Sequence, residues 1–289
     1  MTLPLPHVPG VEHRHVDVRG VRMHVAQAGD PDAPVAVLLH GWPQHWFMWR
    51  HLIADLARDH RVLAPDLRGF GWSSAPGWGY DKPSLRDDVL AALDALGVDR
   101  FRLAGHDWGG WVGFLLCLAA PERVERYVAL NIAHPWQRLG TGNLSSYWRQ
   151  WYMWALATPG LGTRMARGLP DLPAPVLRRI GARGWTPEDA EVFLGRLREP
   201  ERARATQLLY RSFVLLDLRR ALRGGHGRLT TPTLLLFGTD DQILREHHVR
   251  GANADDLQVE LVPGVGHFIV DEAPDLVAER TRAHFTSST

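Results

Sequence analysis

Short apolar runs alternate with longer amphipathic segments over the first 134 residues of the chain. A run such as "VAVLL" is typical of a strand buried on both faces, whereas "WFMWRHLIADLARD" carries its apolar residues at helical spacing. The segment "SLRDDVLAALDALG" predicts a further helix, with Ser84 as its N-cap. The predicted strands, in chain order, are the half-exposed "VRMHVAQAG" and then "PVAVLLHGW", "RVLAPD", "FRLAG" and "RYVALN". Strands that alternate with helices favour an α/β fold with a mostly parallel, twisted sheet covered by helices on both faces.

This alternation stops after residue 134 and returns near residue 229. Between these points, helix-like pieces such as "ERARATQLLYRSFVLLDLRRAL" are separated by breaks rich in proline and glycine. The strand pattern resumes with "TPTLLLFGTDD" and "LQVELVPGVGHF", and a final helix follows. We therefore predict an α/β core, residues 1–134 and 229–289, interrupted by a helical insertion over residues 135–228.

Composition limits the classes of partner and of cellular location. The 33 basic and 32 acidic residues nearly cancel, so nothing favours nucleic acid or a membrane as the partner. The single cysteine, Cys117, fits a reducing compartment and lies in an apolar helix-like stretch, where we expect a buried small hydrophobe. That stretch is about half as long as a membrane-spanning helix, and the chain does not start like a signal peptide. We expect a cytoplasmic monomer or homodimer.

The hexapeptide "GHDWGG" (105–110) joins a predicted strand directly to a predicted helix. Gly105 and Gly109 flank Asp107 at the spacing that a sharp strand-to-helix turn requires, because only small side chains fit there. Such a turn strains its central residue and aims that side chain away from the sheet. The alternative is that Asp107 only caps the following helix. A cap would need neither flanking glycine, so the pattern favours a reactive carboxylate.

Other reactive side chains follow predicted strands, at the edge where a parallel sheet collects its ligands. Asp240 and Asp241 follow one strand, His267 follows another, and His40 follows "VAVLL". Spacing alone does not choose between the two adjacent aspartates. We find no His, Cys or carboxylate cluster at metal-ligand spacing, so we expect neither a metal nor a cofactor.

As a set, five motifs make the whole chain resemble the α/β-hydrolases and, within them, the epoxide hydrolases. The resemblance implies the α/β-hydrolase fold, with the insertion as a helical cap, and a triad of nucleophile, acid and histidine in that chain order. It assigns these roles to Asp107, Asp241 and His267, and the oxyanion hole to the backbone N–H groups of Trp42 and Trp108. The motifs are "HGWP" (40–43), "DLRGFGWSS" (66–74), "GHDWGG" (105–110), "GTDD" (238–241) and "GVGHF" (264–268).

A carboxylate nucleophile suits displacement at a saturated carbon, whereas a serine suits acyl transfer. Asp107 would attack the substrate carbon and become an alkyl ester. Water, deprotonated by His267, would then attack the carbonyl carbon of that ester, while Asp241 orients and stabilises the imidazole. The aspartate at position 107 excludes a serine esterase.

Epoxide opening requires a proton donor, because the departing alkoxide is a strong base, whereas a halide ion needs none. The resemblance implies two cap tyrosines for this role, and Tyr152 and Tyr210 match the family pattern. Tyr147 matches less well, and we expect it to pack. For each tyrosine the alternative is ordinary helix packing.

We predict an apolar pocket for a small uncharged epoxide, lined by His40, Trp42, Trp108 and Trp154. His40 is expected to support its loop through ring hydrogen bonds rather than to act as a base. One alternative is a haloalkane dehalogenase with the same nucleophile, because tryptophan follows that aspartate in both groups. A fluoroacetate-type enzyme is disfavoured, since its motif has arginine where this chain has Trp108. The other alternative is an inactive, ligand-binding homologue.

Overall fold

The computed structural model describes residues 3–136, 151–172, 177, 181–224 and 226–287. Within these ranges eight strands form one sheet in the order β1-β2-β4-β3-β5-β6-β7-β8, which confirms the predicted α/β fold. Strand β2 is antiparallel to both of its neighbours, and the other pairings are parallel. The strands are β1 (Glu12–Val18), β2 (Val21–Ala28), β3 (Val35–Leu39), β4 (Arg61–Pro65), β5 (Phe101–His106), β6 (Val124–Leu130), β7 (Thr233–Gly238) and β8 (Leu257–Val262).

Helices cover both faces of the sheet. Successive residues of a strand point to opposite sides, so each strand contributes apolar side chains to both helical layers. Val37 and Leu39 belong to the apolar cluster beneath α2 and α3, whereas Ala36 and Leu38 belong to the cluster beneath α1 and α10. The described helices are α1 (Arg50–Leu56), α2 (Lys82–Ala95), α3 (Trp108–Ala119), α4 (Trp151–Ala157), α5 (Leu161–Gly168), α6 (Pro187–Leu194), α7 (Pro200–Ser212), α8 (Leu218–Arg223), α9 (Ile269–Glu272) and α10 (Pro274–Thr286).

The sheet extends one strand beyond the sequence-based prediction. Strand β1 has the sequence "EHRHVDV", which is too polar to signal a strand, and it pairs at the outer edge with β2. Strand β2 was expected to be half-exposed, but most of it is buried. Met23 joins the cluster beneath α2, and His24 on the opposite face packs 6.3 Å from the ring of Trp46. Both faces are therefore covered, so the alternation of residue types misleads here.

Helix α2 begins two residues earlier than its expected N-cap. Asp81 is the N-cap, and its Oδ1 accepts a hydrogen bond from the backbone N–H of Ser84 at 3.3 Å. Pro83 fits the first turn because no intrahelical bond needs its missing N–H. This start brings Lys82, the chain's only lysine, into the helix as its first residue.

Helices α4 to α8 lie between β6 and β7, as expected for an inserted cap. Phe213–Asp217 forms a π-helical turn that joins α7 to α8. Arg196 and Arg202 attach the cap to the core by donating hydrogen bonds to the backbone oxygens of Gly71 and Ser73. The limits at residues 135 and 228 remain a prediction. Among the helices that the structure describes, none combines the length and apolar character needed to cross a membrane.

Candidate active site

Asp107 occupies a strained turn between β5 and α3. Its φ is 49°, in the left-handed region that residues other than glycine rarely adopt. A Cβ on Gly105 would lie 2.7 Å from the backbone oxygen of Gly109, and a Cβ on Gly109 would lie 2.2 Å from that of Leu39. These contacts explain why both flanking residues are glycines. Asp107 makes no side-chain capping bond to α3, so the helix-cap alternative is not the arrangement found.

The loop after β3 brings a backbone donor to this carboxylate. The N–H of Trp42 donates to Asp107 Oδ2 at 2.9 Å, and the loop passes so close that a Cβ on Gly41 would lie 2.4 Å from the Cβ of Asp107. His40 supports the loop from below. Its Nδ1 donates to the backbone oxygen of Gly41, and its Nε2 accepts the N–H of Leu67, both at 2.9 Å. The ring is buried under the loop and does not line the cavity, so its predicted place in the pocket is wrong.

The structure brings His267 between two carboxylates. Its Nδ1 donates to Asp241 Oδ2 at 2.8 Å, and its Nε2 lies 3.9 Å from Asp107 Oδ1. The second distance exceeds a direct hydrogen bond, so a water molecule could bridge it. With Nδ1 bonded to Asp241, Nε2 is the ring nitrogen that faces Asp107.

Asp241 and Asp240 have opposite environments although they are adjacent. Asp241 is buried, and its Oδ1 accepts the N–H groups of Ile243 at 2.7 Å and Leu244 at 2.9 Å. The side chain of Asp240 is 45% exposed and pairs with Arg183 at 3.1 Å. Only Asp241 therefore contacts the histidine.

Asn131 completes this cluster and was not among the residues predicted from the sequence. Its Nδ2 donates to Asp241 Oδ2 and to the backbone oxygen of Gly266, both at 2.9 Å. Its Oδ1 accepts the N–H of Gly238 at 3.0 Å, so one amide joins the ends of β6 and β7 to the histidine loop. The available signal was its position directly after the predicted strand "RYVALN", where other functional residues also follow strands.

The pKa shifts in the cluster have identifiable causes. Burial raises the pKa of Asp107, although His267 and the N–H groups of Trp108 and Trp42 partly oppose it. Burial alone would lower the pKa of His267, but the charge and hydrogen bond of Asp241 outweigh it and raise this pKa. The pKa of Asp241 is lowered, because His267 and two backbone N–H groups outweigh the effect of burial. The cluster thus favours an imidazole that accepts a proton easily.

Both predicted cap tyrosines reach the cavity above Asp107. Tyr152 on α4 and Tyr210 on α7 line it, with ring centroids 6.1 Å apart. Burial is the main cause that raises the pKa of both phenols. For Tyr152 the negative charge of Asp107 raises it further. Both hydroxyls therefore keep their protons at ordinary pH and can donate hydrogen bonds.

The cavity is mostly apolar. Its volume is about 480 Å³, part of which is open to solvent. Its remaining walls are aliphatic or aromatic side chains, among them Trp42, Trp185 and Phe268. Apart from the two tyrosines, Asp107 and His267 are the polar residues on its surface within the described part of the chain. No group of three or more His, Cys, Asp or Glu residues in the described ranges is arranged to hold a metal ion.

Besides His40, two more of the predicted pocket residues lie outside the cavity lining. The side chain of Trp154 is 57% exposed and does not line the cavity. Residues two apart on a helix point about 200° away from each other, so α4 cannot direct both Tyr152 and Trp154 inward. The indole of Trp108 also lies outside the lining and packs against Phe213, with ring centroids 4.7 Å apart. Tyr147 lies outside the described residues.

Comparison with known proteins agrees with this architecture. A family model described as alpha/beta hydrolase fold matches residues 34–274. Epoxide hydrolase 4 of Mus musculus is 29% identical over 285 residues, which cover 92% of this chain and 77% of that protein. The soluble epoxide hydrolase of Corynebacterium sp. (strain C12) is 43% identical over 122 residues, or 42% of each chain.

A solved structure shows the same likeness in three dimensions. The ligand-free epoxide hydrolase CorEH matches with a TM-score of 0.83 at 26% identity, and the match covers 95% of this chain and 98% of that one. The family match spans well over half of the chain. The protein therefore belongs to the α/β-hydrolase fold family and, as its motifs predicted, resembles the epoxide hydrolases within it.

Proposed function

We propose that this α/β-hydrolase is an epoxide hydrolase, which converts a small apolar epoxide and water into a vicinal diol through an ester on Asp107. One observation carries the proposal: a single apolar cavity holds a carboxylate on a strained turn, a histidine and two neutral phenols. The names of the relatives support the same substrate class.

In the first step Asp107 would attack one epoxide carbon. Oδ2 is held by the N–H of Trp42, so Oδ1 is the oxygen available for attack. A bond forms between Oδ1 and carbon while the carbon–oxygen bond of the epoxide breaks. Tyr152 and Tyr210 would donate hydrogen bonds and a proton to the departing oxygen. The product of this step is an alkyl ester of Asp107.

In the second step water would cleave that ester. His267 Nε2 removes a proton from water, and the hydroxide attacks the carbonyl carbon of Asp107. Negative charge develops on Oδ2, where the N–H groups of Trp42 and Trp108 stabilise it. Asp241 holds the imidazolium that forms. The bond between the Asp107 carbonyl carbon and Oδ1 then breaks, and the imidazolium gives its proton to Oδ1, which leaves as part of the diol. The oxygen taken from water stays on Asp107, and the proton of the new carboxyl group restores the tyrosine hydroxyl.

The haloalkane dehalogenase alternative receives less support. An indole N–H would be the natural donor for a departing halide, but Trp42 Nε1 already donates to Thr206 Oγ1 at 3.0 Å. The indole N–H of Trp108 has no hydrogen-bond partner among the described residues, but this ring lies behind Tyr210, at 5.8 Å between ring centroids, and does not line the cavity. The two tyrosines would also have no role in halide release.

A single-turnover experiment in H₂¹⁸O tests the two-step scheme. With enzyme in excess over styrene oxide, we expect ¹⁸O in the peptide that contains Asp107 and none in the first diol formed. A parallel assay with 1-bromobutane measures released halide. Label in the diol alone would disprove the ester intermediate, and halide release without diol would favour the dehalogenase.

A further inference from the structure

Lys82 is buried directly behind the turn that carries Asp107. Its side chain is fully buried, with Nζ 4.0 Å from the centre of the Trp108 ring and 5.5 Å from that of Phe213. The closest paired carboxylate oxygen is Asp217 Oδ2, also at 4.0 Å. Within the described part of the chain, Nζ makes no hydrogen bond. A buried ammonium without hydrogen bonds is destabilising, so stability does not explain why the chain places its only lysine here.

The charges that face this ammonium are carboxylates from three directions. Asp217 approaches from the cap, Asp107 from the turn after β5, and Asp81 from the start of the lysine's own helix. Arg220 stands behind two of them, 3.2 Å from Asp217 Oδ1 and 3.3 Å from Asp81 Oδ1. Helix α3 contributes no charged side chain. Asp107 is thus the one carboxylate of the three that has no arginine partner among the described residues.

Burial lowers the pKa of Lys82 to about 8, although these three carboxylates oppose the shift. The lysine is therefore charged at neutral pH and loses its charge in mildly alkaline solution. Stacking on an indole is a favourable position for such a cation. The same contact fixes the side chain of the residue whose backbone N–H faces the carboxylate of Asp107.

We propose that Lys82 is a positioning residue for the hydrolytic step: its ammonium, held on the Trp108 ring, stabilises the negative charge that develops on Asp107 during attack by water. This inference rests on the proposed function. Lys82 does not contact the reacting atoms, so it acts through the field of its charge and through Trp108. It also favours the ionised form of Asp107 before the first step.

A titration of Lys82 tests its electrostatic interaction with Asp107 and does not depend on substrate turnover. Labelling with [ε-¹³C]lysine gives one lysine signal, because the chain has one lysine. We expect a midpoint near pH 8 in the wild-type protein. Asp107→Asn and Asp217→Asn should each lower this midpoint by roughly half a pH unit or more, because each removes a negative charge that stabilises the ammonium form of Lys82.

Asp275→Asn, at an exposed position at the start of α10, is the matched control and should leave the midpoint unchanged. A wild-type midpoint near 10.4, the ordinary lysine value, would overturn the proposal. So would a midpoint that does not respond to Asp107→Asn.

Rapid-quench kinetics test the effect on the reaction. In Lys82→Met we expect ester hydrolysis to slow on the order of tenfold or more, with alkylation affected less, so that the alkyl-enzyme accumulates. Lys82→Arg keeps the positive charge, so ester hydrolysis should proceed as in the wild type. Because arginine stays charged in alkaline solution, the loss of rate that begins near pH 8 in the wild type should move to higher pH. Lys82→Met combined with Asp217→Asn covers the case in which the single variant does not fold, since it also removes the buried carboxylate that lies 4.0 Å from the lost ammonium.

Ester hydrolysis at the wild-type rate in either methionine variant would disprove the role of Lys82. If the wild-type enzyme turns over no epoxide, the proposed function fails instead. The lysine titration then still decides whether Lys82 and Asp107 are electrostatically coupled.

Discussion

The molecule contains two buried aspartate–histidine pairs with nearly the same local geometry. Asp241 accepts a hydrogen bond from His267 Nδ1 at 2.8 Å, and Asp66 accepts one from His24 Nδ1 at 2.7 Å. In each pair the carboxylate also accepts two backbone N–H groups. In both, burial acts to raise the pKa of the aspartate, but the charge and hydrogen bond of the histidine together with neighbouring groups outweigh burial, so this pKa is lowered.

The pairs differ in what the other ring nitrogen faces. His267 Nε2 faces Asp107 and the apolar cavity, whereas His24 Nε2 lies 3.0 Å from His13 Nδ1 at the edge of the sheet. In the second pair this nitrogen therefore faces another histidine instead of a carboxylate nucleophile. An aspartate–histidine pair therefore orients an imidazole, and only the group opposite Nε2 can give it a chemical role.

The largest effect that separates the two pairs should come from the two histidines. We expect His267→Gln to reduce diol formation roughly 10⁵-fold and to trap a substrate-sized adduct on Asp107, visible by intact-mass spectrometry. His24→Gln should instead lower the free energy of unfolding by about 1–3 kcal/mol, because Asp66 loses a buried partner. Its kcat should stay within about threefold of wild type. A large loss of kcat in folded His24→Gln would contradict the distinction.

The two adjacent aspartates, Asp241 and Asp240, should also differ in their effect on kcat, by less than the two histidines do. Asp241→Asn removes the charge that stabilises the imidazolium, so we expect kcat to fall by about 10³–10⁴-fold. Asp240→Asn is its matched neighbour, exposed and paired with Arg183, and should change kcat less than about threefold. Steady-state assays of both variants decide the assignment. Equal losses would mean that the two positions share the role.

The cavity opposite the catalytic pair is tested by removing the two phenols. The double variant Tyr152→Phe, Tyr210→Phe keeps the rings and loses the proton donors, so epoxide turnover should fall by about 10²–10⁴-fold. Release of halide from any haloalkane that the enzyme accepts should not change, because halide needs no proton. Unchanged epoxide kinetics would remove the tyrosines from the mechanism.

The smallest expected effect is on the pH dependence of stability, to which both aspartate–histidine pairs contribute. Because the pKa values of folded Asp66 and Asp241 are lowered, each carboxylate adds stability above its unfolded pKa, near 4, and this contribution is lost as the pH falls below it. Urea unfolding at pH 7 and pH 3 should therefore show a smaller pH dependence in Asp66→Asn than in wild type. An identical dependence would mean that Asp66 is equally stabilised in the unfolded chain.

The sequence predicted the site better than its surroundings. Gly105, Asp107 and Gly109 follow a steric rule that operates within five residues, so the turn could be predicted locally. The pair formed by His24 and Asp66 could not, because it depends on the antiparallel pairing of β2 with β4, which the pattern of either strand does not specify. The orientation of α4 was missed for a related reason. Tyr152 and Trp154 are both large aromatic residues, and only the position of the cap on the core decides which one points inward.

The two cap arginines, Arg196 and Arg202, have a consequence for engineering. They bond to backbone oxygens of the loop at residues 66–74, and an N–H of that loop, at Leu67, supports His40 beneath the loop that carries Trp42. A foreign cap grafted onto this core to change its substrate range would remove that attachment. Chimaeras should therefore retain both arginines, or redesign the loop with the cap, to keep the donor of Trp42 in register with Asp107.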